Sequence, residues 1–223
     1  MKAYHNYILK LRQASQFGLI LSVFILSLIA YAYFVTTPYF SVVENWAQSN
    51  YWTFVLFLLI LKVIGIIWPP LPGVVPLIGA IPIIGWPAAF FIDLVGYIIG
   101  SIIAFFLARK FGLKVIRKLF GEAGVRSVER IRIKPQRQLE AITLMKIFGG
   151  GVGEFISYAA GITNIKFYNF FWGSILASVM VGIPLFYFFN FALSQNNLLY
   201  ALLPLGVGAL LFYILRKRYF DFK

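Results

Sequence analysis

The sequence predicts an all-α integral membrane protein, in which spanning helices pack with two oppositely oriented re-entrant hairpins related as an inverted repeat. Three observations predict it. Of 223 residues, 61% are hydrophobic and 12% charged, whereas an ordinary soluble domain has roughly a quarter charged. Uncharged apolar runs approach or exceed the roughly 20 residues that a spanning helix needs. Two further apolar stretches are broken by proline or glycine at corresponding places in two halves of the chain.

Residues 1–50 form an N-terminal helix and anchor span. The run 17–35 carries no charge. Its flanks, with Lys2, Lys10 and Arg12 ahead and Ala30-Tyr31-Ala32 near its end, also suit a secretory signal. The run continues through Tyr33, Phe34 and Val35, beyond the roughly 7–15 residues of a signal core, and so reads as an anchor. The membrane domain, 51–192, follows. Its first part is a hairpin over 51–92, interrupted by Lys62 and carrying Pro72, Pro76, Pro82 and Pro87, a proline density that one smooth helix does not tolerate. A span over 94–108 comes next, preceded by Asp93.

The segment 109–140 is strongly basic, with Arg109, Lys110, Lys114, Arg117, Lys118, Arg126, Arg130, Arg132, Lys134 and Arg137 against Glu122, Glu129 and Glu140. Residues 141–162 form the second hairpin. Gly149, Gly150, Gly151 and Gly153 split it into arms that, at about 1.5 Å per residue, cannot each cross a core of roughly 30 Å. Such a segment is allowed in lipid where its opened backbone is covered by protein or faces a water-filled cavity. A span over 167–192 with Pro184, and a C-terminal span and basic tail over 198–223 with Pro204, complete the chain.

Counting Lys and Arg sets the orientation. The segment 109–140, the N-terminus and the tail Arg216, Lys217, Arg218 and Lys223 belong in the cytoplasm, while 36–50 and 194–197 hold no basic residue and belong outside. The first broken hairpin then enters from outside and the second from inside. Interrupted segments in matching positions of two inverted halves point to a transport site near the midplane. The plainer reading is that Pro and Gly are common in membrane helices generally.

Four motifs in this order carry a resemblance: Pro69-Pro70-Leu71-Pro72-Gly73, Phe105-Phe106-Leu107-Ala108-Arg109-Lys110-Phe111-Gly112, Tyr158-Ala159-Ala160-Gly161-Ile162-Thr163 and Gly182-Ile183-Pro184. Over roughly 51–192 the chain resembles the DedA/VTT-domain family, also called SNARE-associated Golgi proteins. The resemblance implies paired re-entrant hairpins and the movement of lipids, either polyprenyl phosphate carriers or phospholipids, between leaflets. The chain departs from the family pattern at Val74, where a Glu often follows the Pro-Gly. In the second hairpin Lys146 stands for an Arg, and Gly149 and Val152 stand for prolines. Glu154 falls where an acidic residue is frequent.

An ionisable side chain at membrane depth costs roughly 2.5–3.5 kcal/mol on insertion scales and is a functional candidate for that reason. Lys62, Asp93, Lys146 and Glu154 are such residues, and Arg109 marks the headgroup level beside them as a fifth candidate for substrate binding. Lys146 and Glu154 flank the glycine break and are expected to meet at its mouth, either as a lipid-phosphate site or as a structural ion pair. Asp93 is expected in the outer headgroup region, and Lys62 either pairs with an acid or snorkels. The hairpin backbone itself is assigned to Pro69, Pro70, Pro72, Gly73, Gly149, Gly150, Gly151, Gly153 and Gly161. Val115, Ile116, Leu119 and Phe120 share a helical face beside Lys114, Arg117 and Lys118, which suits either an amphipathic helix on an anionic leaflet or charge that only sets topology.

The composition excludes several classes. There is no cysteine and one histidine, His5, so no thiolate or His-rich metal site and no catalytic Cys–His or Ser–His constellation is expected. No cofactor or metal is expected, and the chain is read as a non-enzyme. The net charge of +13 is directed at membrane lipids with anionic headgroups, because aromatic stacking positions that would suit nucleic acid are not interleaved with the basic patch. A homo-oligomer is left open. The expected function is a flippase or scramblase for a phosphate-bearing lipid in a prokaryotic plasma (inner) membrane. The alternatives are a non-enzymatic membrane organiser or binding protein, and a small-solute or ion transporter.

Overall fold

The computed structural model describes residues 37–68, 71, 73–131, 133–148 and 153–195, with Leu26, Tyr33 and Tyr200 as isolated points. The anchor run 17–35, His5, Pro69, Pro70, Pro72, Gly149, Gly150, Gly151, and the C-terminal span and tail fall outside this range, apart from those points. Every regular element among the described residues is helical. The chain divides into two compact units, 1–51 and 52–223.

The first unit contributes α1, Pro38–Ser49, opened by Pro38 in the first turn, where the missing N–H costs nothing. The second unit holds the rest. Helix α2, Tyr51–Ile67, ends short of the proline cluster, and α3, Val75–Ile84, is only 10 residues long. Helix α4 covers Trp86–Phe111 and α8 covers Phe167–Ser194, and these two are long and apolar enough to cross a membrane. Between them lie α5, Leu113–Arg130, a short 3₁₀ turn at Pro135–Arg137, α6, Gln138–Phe148, and α7, Gly153–Ile162. At 11 and 10 residues, α6 and α7 are each about 15–17 Å long, roughly half the depth of a hydrocarbon core.

One boundary differs from the sequence expectation. The break before the long span falls at Gly85, not at Asp93, so Asp93 lies inside α4. Gly85 has φ 78°, open to a residue without Cβ, and Pro87 occupies the first turn of α4. Backbone chemistry starts a helix, and a carboxylate does not stop one.

Small residues let the helices approach closely. A Cβ on Gly161 of α7 would fall on the Phe105 carbonyl of α4. A Cβ on Gly96 would lie 2.6 Å from Lys62 Cγ, and one on Gly100 2.6 Å from Ile66 Cβ, so α2 rests on this glycine pair of α4. Gly182 of α8 similarly faces Phe90, and Gly173 faces Ile142 of α6. Outward, Phe91, Val95, Ile99 and Ile103 of α4 and Tyr168, Trp172, Leu176 and Met180 of α8 are exposed at four-residue spacing. Continuous apolar stripes of this kind are stable against lipid, not against water.

The basic segment corrects an expectation. Its apolar face does not lie free for a leaflet: Ile116, Val125 and Val128 form one buried cluster with Tyr158 and Ala159 of α7, and Phe120 packs edge-on against Phe155 at 5.1 Å. The basic side chains Lys114, Arg117, Lys118 and Arg126 remain exposed.

Candidate functional site

Helix α4 presents Asp93, Tyr97 and Ser101 four residues apart, which places them along one helical face. Gly96 and Gly100 lie beside that face and admit α2, whose Lys62 runs its stem across Gly96. Lys62 Nζ thereby reaches 2.6 Å from Asp93 Oδ1, both side chains more than nine-tenths buried. The contact is ionic in distance but outside hydrogen-bond geometry, and Asp93 Oδ1 accepts no hydrogen bond among the described residues.

Lys146 of α6 approaches the same face from the other side. Its Nζ donates to Tyr97 Oη at 2.8 Å, to Ser157 Oγ of α7 at 2.9 Å and, more weakly, to Ser101 Oγ at 3.5 Å. The ammonium also lies 4.6 Å from the Tyr97 ring centroid and 4.9 Å from that of Phe170, while Lys62 stands 5.8 Å from the Tyr97 ring. Ser157 and Ser101 hydroxyls are linked at 3.4 Å. One residue after the start of α7, Glu154 turns into the same space, in the first turn, where the helix dipole favours a carboxylate.

Lys62, Asp93, Tyr97, Lys146 and Glu154 line a cavity of about 150 Å³ together with Val74 and with Ala177, Ser178, Val181, Gly182, Leu185 and Phe186 of α8. The four ionisable residues singled out in the apolar runs, Lys62, Asp93, Lys146 and Glu154, therefore meet in one place. Two details differ from expectation. Asp93 is 6% exposed and engaged with Lys62, not solvated among headgroups. Lys146 forms no ion pair with Glu154 within 4 Å among the described residues, because hydroxyls on α4 and α7 already surround its ammonium.

Arg109 is not part of this cavity. Its guanidinium donates to the carbonyls of Gly161, Thr163 and Ile165 at 3.1, 3.3 and 3.0 Å and stacks 4.5 Å from the Phe105 ring. It thus satisfies carbonyls at and beyond the C-terminal end of α7, which no helical N–H can reach. Tyr158 does the same for α2, donating to Ile67 O at 2.7 Å. Gln138, buried at the start of α6, donates to Asn164 O and accepts from the Lys166 backbone N–H and the Asn169 side chain. Arg109 lines a second, more open cavity of about 500 Å³ with residues 161–166. Of the glycines assigned to the hairpin backbone, Gly153 opens α7, and Gly73 and Gly161 sit in close backbone approaches, Gly73 against Gly65 and Gly161 against Phe105.

Sequence reasoning missed Tyr97, Ser101, Ser157 and Gln138 as members of polar networks. The signal for the first two was present: the spacing Asp93, Tyr97, Ser101 puts a polar ridge along an otherwise apolar span.

Fold and cavity together define a class, that of helical membrane proteins in which ionisable side chains gather between short helices and two helices long and apolar enough to cross a membrane. The family model for the VTT domain matches residues 71–191, more than half of the chain. The chain belongs to that family, the DedA/SNARE-associated Golgi membrane proteins. The match includes Asp93, Tyr97, Lys146 and Glu154 and begins after Lys62. No curated protein and no solved structure matches the chain significantly.

Proposed function

We propose that the protein moves a phosphate-bearing lipid between leaflets, acting as a flippase or scramblase, with the cavity between α2, α4, α6, α7 and α8 as its headgroup site. The observation that carries the reading is the convergence of Lys62, Asp93, Lys146 and Glu154, from four different helices, on one cavity. Four ionisable groups in an apolar protein cost several kcal/mol to bury, and membrane proteins keep such groups mainly on substrate or proton paths.

The hairpin reading supports this placement. Gln138 at the start of α6 is hydrogen-bonded to Asn164 and Lys166 beyond α7, so the two ends of the glycine-broken segment meet, as the ends of a re-entrant hairpin must. In the proline-broken segment Gly65 and Gly73 approach closely across the break itself, so the chain turns sharply there. Two such segments entering from opposite faces bring their tips together inside the bilayer, where an inverted repeat has its transport site. The basic segment 109–140 lies on the cytoplasmic side in this arrangement, in a prokaryotic plasma membrane, with both termini inside.

A second reading has its own observation. Lys146 already donates to three hydroxyls and Lys62 already pairs with Asp93, which equally suits a static polar core in a membrane organiser. Reconstitution separates the two. With the purified full chain in vesicles carrying a tail-labelled phospholipid, a membrane-impermeant quencher is expected to reach the inner-leaflet label as well. Quenching that stops at the outer leaflet, as in protein-free vesicles, sinks the transport reading.

A further inference from the structure

The cavity is lined by equal numbers of basic and acidic side chains: Lys62 and Lys146 against Asp93 and Glu154. This balance constrains what can enter. An ammonium has three N–H donors, and those of Lys146 face three hydroxyl oxygens. Lys62 is held by Asp93. Neither cation stands open to an incoming anion.

A headgroup of net negative charge must therefore draw Lys62 away from Asp93. That leaves the Asp93 carboxylate buried, with an Oδ1 that already lacks a hydrogen bond among the described residues. An uncompensated buried charge is the state a low-dielectric site penalises most. Glu154, which has no ion-pair partner among the described residues, also lines the cavity and repels the same anion.

A headgroup bearing both phosphate and ammonium changes the exchange. Its phosphate takes Lys62, its ammonium faces Asp93 and Glu154, and no charge is left alone. The size agrees: about 150 Å³ equals the liquid volume of roughly five waters, enough for a headgroup while the acyl chains stay in lipid.

We propose that the cavity selects zwitterionic phospholipid headgroups, phosphate joined to ammonium, over headgroups of net negative charge. The proposal rests on the transport reading above. The test compares leaflet exchange of tail-labelled phosphatidylethanolamine and phosphatidylglycerol by the purified full chain in vesicles of one fixed composition. Exchange of the zwitterion is expected to be the faster of the two, because the anionic headgroup alone meets an uncompensated carboxylate. Glu154→Gln is expected to lower the ratio without abolishing it, chiefly by speeding the anionic probe, since it removes the repelling carboxylate while Asp93 must still give up Lys62. Lys166→Gln, outside the cavity, is expected to leave the ratio unchanged. The wild-type ratio is measured first, so the outcome does not depend on any variant folding. Equal exchange of the two probes, or faster phosphatidylglycerol, overturns the selectivity and leaves transport standing. Exchange of neither probe overturns both.

Discussion

Among single residues, Lys62 and Asp93 illustrate how a buried pair is held. Each charge is costly at membrane depth, and each is tolerable because the other lies 2.6 Å away. Lys62→Met alone leaves Asp93 buried without a counter-charge and is expected to lower stability by about 3–5 kcal/mol. The double variant Lys62→Met/Asp93→Leu, with no charge left, is expected to recover most of that loss. Thermal unfolding of the two singles and the double in detergent checks this, and strictly additive losses would show that the two side chains are not coupled. All four cavity ions were visible in the sequence, because a charge inside an apolar run is conspicuous. Their partners were not. Lys146 and Glu154 are near neighbours along the chain, yet Lys146 bonds to Tyr97 and Ser101, 49 and 45 positions away, and to Ser157. Neutral hydroxyls cost little in an apolar run and so leave no mark by which to choose among them.

At the scale of elements, close helix contacts decide the geometry of the cavity. Gly161 lets α7 touch the backbone of α4 at Phe105, and a carbonyl oxygen cannot turn aside as a long side chain can. Gly161→Ala is expected to cost about 1–3 kcal/mol or more by overpacking, while Leu56→Ala on the exposed face of α2 costs at most about 0.5 kcal/mol. Melting temperatures in one detergent compare them directly, and equal tolerance would mean that the α4–α7 contact is looser than this. Arg109 ties the same junction by three carbonyl bonds. Arg109→Gln is expected to speed hydrogen exchange over α7 and residues 161–166 while leaving α8 protected near Phe186. Unchanged exchange at 161–166 would assign the junction to packing alone. Gly96, Gly100 and Gly182 stand in the sequence as glycines within apolar runs, but a missing side chain names no partner. Sequence reasoning misplaced the start of α4 because the charge of Asp93 looked more decisive than the Gly85–Pro87 pair.

For the whole molecule, the open question is which side of the membrane each end of the interrupted segments occupies, and the structure makes it sharp. If α6 and α7 were two halves of one broken span, residues before α6 and after α7 would face opposite sides. If they are arms of a re-entrant hairpin, those residues share a side, as the Gln138 hydrogen bonds to Asn164 and Lys166 favour. The chain has no cysteine, so single cysteines can be placed at will. Gln136, Asn164, Ser127 and Ser194 are exposed, and none of their side chains bridges two helices among the described residues. Because basic residues are retained inside, a membrane-impermeant maleimide applied to intact cells is expected to spare Ser127→Cys, Gln136→Cys and Asn164→Cys and to label Ser194→Cys, with α8 crossing between the last two. Permeabilised cells are expected to label all four. Labelling of Asn164→Cys from outside with Gln136→Cys protected would replace the hairpin by a broken span. The inverted repeat would go with it, and so would the placement of Lys146 and Glu154 at the tip of a segment that returns to its own side.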